Sequence, residues 1–324
     1  MNSWRCRCEE GQIIMKLYTI ETGNRLCVAA EGSDGKIRTL DSMGIEMRDM
    51  NDLILHYDDL APLIRRGTES GKAPEETDYI IKAPIPVPMQ DVICLGVNYR
   101  EHIEETVDVV DFTGKTDAVY FSKRVNRSND PYGMIPLYDF VDSLDYEAEL
   151  GVILKNDALN ISVEEAPDYI LGYTVINDVS ARNVQMKHQQ WYRGKSLDGY
   201  LPMGPCIVTA DEIEDPHALD IACFVNDEKR QHSNTSCMIT NVYEAVSELS
   251  QGMTLKAGTI IAMGTPGGVA MGMNPPKYLK AGDTVRCVIE KIGELGNHVG
   301  MERRRYGKDD FKGDQKISET ALPG

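Results

Sequence analysis

The sequence predicts an α+β protein in which strands outnumber helices. Three observations lead there. From residue 91 to about residue 300, apolar runs of strand length recur at 92–97, 118–121, 150–154, 169–176, 206–209, 221–225, 258–263 and 284–290, while helical periodicity is confined to short stretches. The runs do not alternate with helices as they would in a doubly wound sheet. Finally, 324 residues, 42% hydrophobic and 26% charged, suffice to bury a full core as one large domain with an appendage or as two domains.

In chain order, residues 1–14 stand apart as an N-terminal extension, and Met15 reads as the original start. Met15-Lys16-Leu17-Tyr18-Thr19-Ile20 opens the first strand, and 26–30 and 36–40 supply two more. Leu53, Ile54, Tyr57, Leu60, Leu63 and Ile64 recur at helical spacing. Residues 15–75 are therefore expected to form a small strand-rich domain closed by one helix. Alternating prolines at 84, 86 and 88 keep the next stretch extended, as suits a connector. The second domain is expected over 91–301. Its clearest helix is 241–249, with Thr240 as the cap. Residues 302–324, opening with Glu302-Arg303-Arg304-Arg305-Tyr306, lack periodicity and read as a flexible tail.

A formal net charge of −17 argues against nucleic acid and against anionic membrane surfaces, both of which need clustered Lys and Arg. An acidic metabolite remains compatible if a metal and a few bases line its pocket. No apolar run approaches the roughly 20 residues of a membrane span, and the first residues lack the apolar stretch of a signal peptide; a cytoplasmic protein is expected. Most of the eight cysteines lie in apolar runs, as in Ile93-Cys94-Leu95 and Ala222-Cys223-Phe224, where reduced Cys behaves as a small hydrophobe. Cys6 and Cys8 lie close together but lack a second pair at zinc spacing.

The chemistry gathers around Asp145-Tyr146-Glu147-Ala148-Glu149-Leu150 and Ile176-Asn177-Asp178. Side chains two apart on a strand share a face, so Glu147 and Glu149 project together while Ala148 and Leu150 face the other way. Asp178 ends a second apolar run that can deliver it beside them. Like charges held this close raise each other's pKa, and a divalent cation compensates them. Oxygen ligands without Cys or His favour Mg2+ or Mn2+. The alternative is the solvated face of an ordinary antiparallel sheet.

His102 and Glu105 share a helical face, so Glu105 can orient the imidazole as a base; the alternative is a solvated surface helix. Lys195 lies in the glycine-flanked loop Trp191-Tyr192-Arg193-Gly194-Lys195-Ser196. Gln189 stands where a phosphate-binding loop needs Gly, so nucleotide binding is rejected. Lys195 is then either solvated or paired with a substrate carboxylate or enolate. Gly264-Thr265-Pro266-Gly267-Gly268 is an anion-facing or a purely structural turn.

Taken in this order, the segments resemble the fumarylacetoacetate hydrolase family, in particular its branch of acylpyruvate hydrolases, oxaloacetate decarboxylases and 2-hydroxyhepta-2,4-diene-1,7-dioate isomerases. The resemblance covers residues 91–300, and the Met15-Lys16-Leu17 start is similar to that branch's N-terminal domain. It implies a rolled mixed β-sheet for the catalytic domain and a homodimer. It implies that Glu147, Glu149 and Asp178 bind Mg2+ or Mn2+, that His102 and Glu105 activate water, and that Lys195 contacts the reacting oxygens. Arg182 and Gln185 match pocket positions, and Thr265 matches a residue that holds the substrate carboxylate.

The activity implied is metal-dependent hydrolysis of the C–C bond of an acylpyruvate-type oxo acid through a metal-stabilised enolate. Oxaloacetate decarboxylation and dienoate isomerisation are alternatives at the same site. A non-catalytic binding protein is disfavoured by the intact ligand set. Two departures stand out: Asn183 replaces the family's usual Asp after Ala181-Arg182, and residues 107–117 differ from the common glycine- and proline-containing version, which bears on substrate choice.

Overall fold

A computed structural model describes residues 15–106 and 118–302. The expected extension 1–14, the segment 107–117 and the expected tail beyond Glu302 lie outside the described residues.

β1 (Lys16–Thr22) and β2 (Arg25–Glu31) form a hairpin, and β3 (Ile37–Thr39) adds to β2. The apolar periodicity expected of one helix is divided at His56 into α1 (Met50–Leu55), capped by the Asp49 carboxylate, and α2 (Tyr57–Glu69). The connector begins as a strand, β4 (Ile80–Lys82), paired with β1. Prolines cannot donate to a ladder, and those at 84, 86 and 88 end it.

There follow β5 (Val92–Gly96), α3 (Arg100–Thr106), β6 (Val119–Lys123), β7 (Met134–Tyr138), β8 (Leu144–Asp145) and β9 (Ala148–Leu154). Next come α4 (Ala166–Tyr169), β10 (Ile170–Asn177), β11 (Ser180–Ala181), α5 (Arg182–Lys187), α6 (Tyr192–Lys195) and β12 (Met203–Thr209). The chain continues through β13 (Asp220–Val225), β14 (Glu228–Asn234), α7 (Val242–Ser250), β15 (Ile260–Ala262), β16 (Thr284–Ile289) and β17 (Gly293–Glu302). The cap of α7 is Asn241 rather than Thr240: its side chain accepts from the Tyr243 and Glu244 amides, and Glu244 accepts from the Asn241 amide in return. β7, β14 and β17 are additions to the strands expected from the sequence.

One sheet runs in the order β3-β2-β1-β12-β10-β9-β15-β5-β6, with β4 also on β1; a second runs β14-β13-β16-β17-β7. Each contains one parallel pair, β15 with β5 and β17 with β7, so the mixed α+β class expected is the class observed. β1 pairs with β12 (Lys16↔Val208, Leu17↔Ile207), which makes the N-terminal strands continuous with the large sheet.

β9 and β10 lie at the centre of that sheet and are buried along their whole length. Their unbroken apolar runs follow from cover on both faces. On one face Leu150, Val152 and Val175 pack with Ile221, Cys223, Val285 and Cys287 of the second sheet. On the other, Ile153 and Ile176 share a cluster with Leu17, Leu53, Ile54 and Ile64, so α1 and α2 close that side. Among the described residues, no helix is long and apolar enough to cross a membrane.

β10 also approaches β12 closely: a Cβ at Gly172 would lie 2.2 Å from the Val208 carbonyl oxygen. Gly172→Ala is expected to lower folding stability by ~1–3 kcal/mol, read as a lower midpoint in chemical denaturation with the slope preserved. An unchanged midpoint would disprove this close approach.

Candidate active site

The antiparallel register of β9 and β10 sets Ile176 opposite Glu149 and Asn177 opposite Ala148. One step further brings Glu147 and Asp178 together, where the Asp178 amide donates to the Glu147 carbonyl at 2.9 Å. The Asn177 side chain accepts from the Glu147 amide at 3.0 Å and fixes the strand end. Glu147, Glu149 and Asp178 offer oxygens that all lie within 4.8 Å of one another. They are 4%, 1% and 0% exposed, so this is no solvated sheet face.

Three buried cations meet them. Lys195 sits on the helical turn α6 rather than in an open loop, and Gly194 is what lets it in: a Cβ there would lie 2.5 Å from the Gln185 amide of α5. Its Nζ donates to Glu147 Oε2 at 2.5 Å and to Asp178 Oδ2 at 2.6 Å. Arg182 donates from Nη2 to Glu147 Oε1 at 2.5 Å, from Nε to Asp145 Oδ2 at 2.9 Å and from Nη1 to Gln185 Oε1 at 3.0 Å. Lys123, at the end of β6, donates to Asp178 Oδ1 and to the Val179 carbonyl. Asp145 also accepts from the amides of Ala270 and Met271 at 2.8 and 3.1 Å.

Four buried carboxylates thus face three buried cations. Among the described residues Glu149 takes part in no ion pair; its Oε2 accepts from the Gly264 amide at 2.8 Å. Burial first, then the charges of Asp178 and Glu147, raise the Glu149 pKa well above the usual carboxylate range. Burial pushes Glu147 the same way, but Arg182 and Lys195 outweigh it and hold that carboxyl below its usual value. Burial also works against the charge on Lys195, and Asp178 and Glu147 more than restore it. Ionised together, these hard oxygen donors would carry one negative charge more than the three cations match, and a divalent cation fits such a set.

His102 reaches the same cavity from α3. β5 is followed by Val97, whose φ of +52° is an outlier for a β-branched residue and costs ~1–3 kcal/mol. Asn98 then holds the turn: Nδ2 donates to the carbonyls of Met263 and Thr240 at 2.8 and 2.9 Å, and Oδ1 accepts from the Thr240 amide at 2.8 Å. α3 starts there and delivers a buried His102 whose Nδ1 lies 2.8 Å from Glu105 Oε1. Glu105 accepts in addition from the amides of Gly268, at 2.6 Å, and Val269, at 3.4 Å. Nε2 is the ring nitrogen that remains for a ligand.

All nine residues singled out in the sequence converge. Glu147, Glu149, His102, Arg182, Gln185, Lys195 and Thr265 line one cavity; Glu105 backs His102, and Asp178 backs Glu147 and Lys195. Its apolar wall includes Trp191, which packs on Gly96 so tightly that a Cβ there would lie 2.4 Å from the indole, and Phe121, edge-on to Trp191 at 5.2 Å. Lys123, Asp145, Asn98 and Gln231 are site residues that the sequence reading did not assign. Asp145 carries a signal, since it stands two before Glu147 at strand spacing. The others carry none that separates them from surface polar residues.

Residues 91–300 match the sequence model of the fumarylacetoacetate (FAA) hydrolase C-terminal family. The chain belongs to the fumarylacetoacetate hydrolase family. Oxaloacetate tautomerase YisK of Bacillus subtilis is 36% identical over 303 residues, 88% of this chain and 100% of that protein. Among solved structures, a fumarylacetoacetate hydrolase from psychrophilic Exiguobacterium antarcticum matches with a TM-score of 0.76 and 35% identity, covering 89% of this chain and 100% of that one. A maleylpyruvate hydrolase from Sphingobium sp. SYK-6, in complex with manganese (II) ion and pyruvate, matches with a TM-score of 0.71 and 25% identity over 89% of this chain and 100% of that one. The fumarylacetoacetate hydrolase fold expected from the sequence is thus the fold observed.

If Glu149 carries the unmatched charge, Glu149→Gln removes it without changing shape. The variant is expected to melt no lower than wild type in chelator and to bind Mn2+ at least ~10-fold more weakly. Calorimetric titration and thermal melts check both halves; unchanged Mn2+ affinity would remove Glu149 from the ligand set.

Proposed function

We propose that this fumarylacetoacetate hydrolase family enzyme moves a proton between carbon and oxygen of a small 2-oxo acid, with oxaloacetate the favoured substrate. The observation that carries this reading is that His102, clamped by Glu105, lines the same cavity as Glu147 and Glu149 of the buried carboxylate triad. The end-to-end similarity to an oxaloacetate tautomerase supports the choice of substrate. The reading differs from the C–C hydrolysis that the sequence resemblance implies first, because tautomerisation needs no water bound beside the substrate.

Glu147, Glu149 and Asp178 would hold Mg2+ or Mn2+, which when bound supplies Lewis-acid polarisation of the 2-oxo group. His102 Nε2 removes a proton from C3, next to the carbonyl, and Glu105 stabilises the imidazolium formed. An ammonium has three N–H donors, and Lys195 commits two of them to Glu147 and Asp178. The third serves the oxygen that gains negative charge. Gln185 Oε1 accepts from Arg182, so its amide presents Nε2 as a donor to a substrate carboxylate. The His102 imidazolium gives the C3 proton up to the 2-oxygen, which completes the enol and restores the neutral imidazole, and the reverse sequence regenerates the ketone.

Hydrolysis of an acylpyruvate is the second reading, favoured by the similarity to a maleylpyruvate hydrolase. There His102 would deprotonate a water instead of C3. Enol-form oxaloacetate, diluted into buffer with Mg2+ and then with excess chelator, separates the two. Metal-dependent acceleration of the enol absorbance decay is expected. Decay of an acylpyruvate without any effect on oxaloacetate would replace tautomerisation by hydrolysis. His102→Ala is expected to slow the decay about 10^2- to 10^4-fold while calorimetry finds Mn2+ affinity retained; an undiminished rate would move the base elsewhere.

A further inference from the structure

Gln231 lies on β14, in a mostly polar and solvent-facing strand, yet its side chain is 1% exposed. A register shift between β13 and β14 follows the Gln231–Cys223 pair. The neighbouring Arg230 carbonyl packs against Gly268, where φ is +102° and a Cβ would lie 1.9 Å from that oxygen. The irregularity docks β14 on the turn that follows β15, and Gln231 reaches past it into the large sheet.

There Gln231 Oε1 accepts from the Ala148 amide at 3.1 Å. Its Nε2 donates to Thr265 Oγ1 and to the Pro266 carbonyl, both at 2.8 Å. Thr265 Oγ1 in turn donates to the Ala148 carbonyl at 3.0 Å. Ala148 is the residue between Glu147 and Glu149. Two side chains bonded to each other therefore hold its N–H and its C=O. The hydroxyl has a single proton. Since Oγ1 accepts from Gln231, that proton is committed to Ala148, and the donor Thr265 has left for a bound carboxylate is its main-chain N–H.

We propose that Gln231 is a positioning residue for the metal ligands and that the Thr265 hydroxyl is a strut in the same relay, holding the Glu147–Glu149 segment rather than donating to substrate. The inference rests on the reading of Glu147, Glu149 and Asp178 as a divalent-metal site. Residues that orient ligands act on metal affinity even when they touch neither metal nor substrate.

The test compares wild type, Gln231→Leu, Thr265→Val, Thr265→Ser and the Gln231→Leu/Thr265→Val double variant. Calorimetry measures the affinity for Mn2+ and then, at saturating Mn2+, for oxalate; circular dichroism verifies folding. Gln231→Leu and Thr265→Val are expected to weaken Mn2+ binding about 10- to 100-fold and to leave oxalate binding unchanged. The double variant should bind Mn2+ as the weaker single variant does, and Thr265→Ser, which keeps the hydroxyl, should bind it as wild type does. If Gln231→Leu does not fold, the Val and Ser variants at 265 decide alone. Wild-type Mn2+ affinity in Thr265→Val, or an equal loss of oxalate affinity, overturns the proposal. Failure of wild type itself to bind Mn2+ would instead overturn the metal site, a distinct outcome.

Discussion

The arrangement turns on one electrostatic constraint: carboxylates buried at the sheet centre must be matched by charges brought from elsewhere in the chain. Glu149 on β9, Glu147 just before it and Asp178 just after β10 make up the acidic set. Lys123 comes from β6, and Arg182 and Lys195 come from the consecutive helices α5 and α6 much later in the chain. At low effective dielectric each pairing is strong, and losing one partner leaves a buried charge that costs ~3–5 kcal/mol. The network therefore specifies how those elements meet more than it adds to net stability, and among the described residues Glu149 is the member of the acidic set that no basic side chain pairs.

Layering buries that centre. The second sheet covers one face of β9 and β10, and the cluster containing α1 and α2 covers the other. The N-terminal strands take part directly, because β1 adds to β12 and Arg65 of α2 pairs with Glu212 just beyond it. The expected two-part organisation and a single continuous sheet are thus compatible: the chain's first strands extend the platform on which the site is built.

What the sequence made legible follows from the same physics. β9 and β10 read as apolar runs because both their faces are covered, and acids flanking such runs stand out. β14, Glu-Lys-Arg-Gln-His-Ser-Asn, gave no signal because most of it meets solvent; Gln231 becomes distinct only once a register shift turns it inward. Lys123 acquires meaning when β6 lies beside Asp178, a contact across 55 residues that local pattern cannot carry. Lys195 read as a loop residue because Gly194 disfavours helix in isolation; the glycine is there for the close approach of α6 to Gln185, and tertiary packing then makes the turn helical.

Gly268 joins the two halves of the site. Its amide donates to Glu105, behind the histidine, and its missing side chain admits the Arg230 carbonyl beside the Gln231 relay. Both demands fall on the same few atoms, so the backing of His102 and the relay to Ala148 are joined at one backbone position. A displacement of β14 is thereby transmitted to the His102–Glu105 pair, and one around Glu105 to the Glu147–Glu149 segment, with Gly268 as the hinge pin between them.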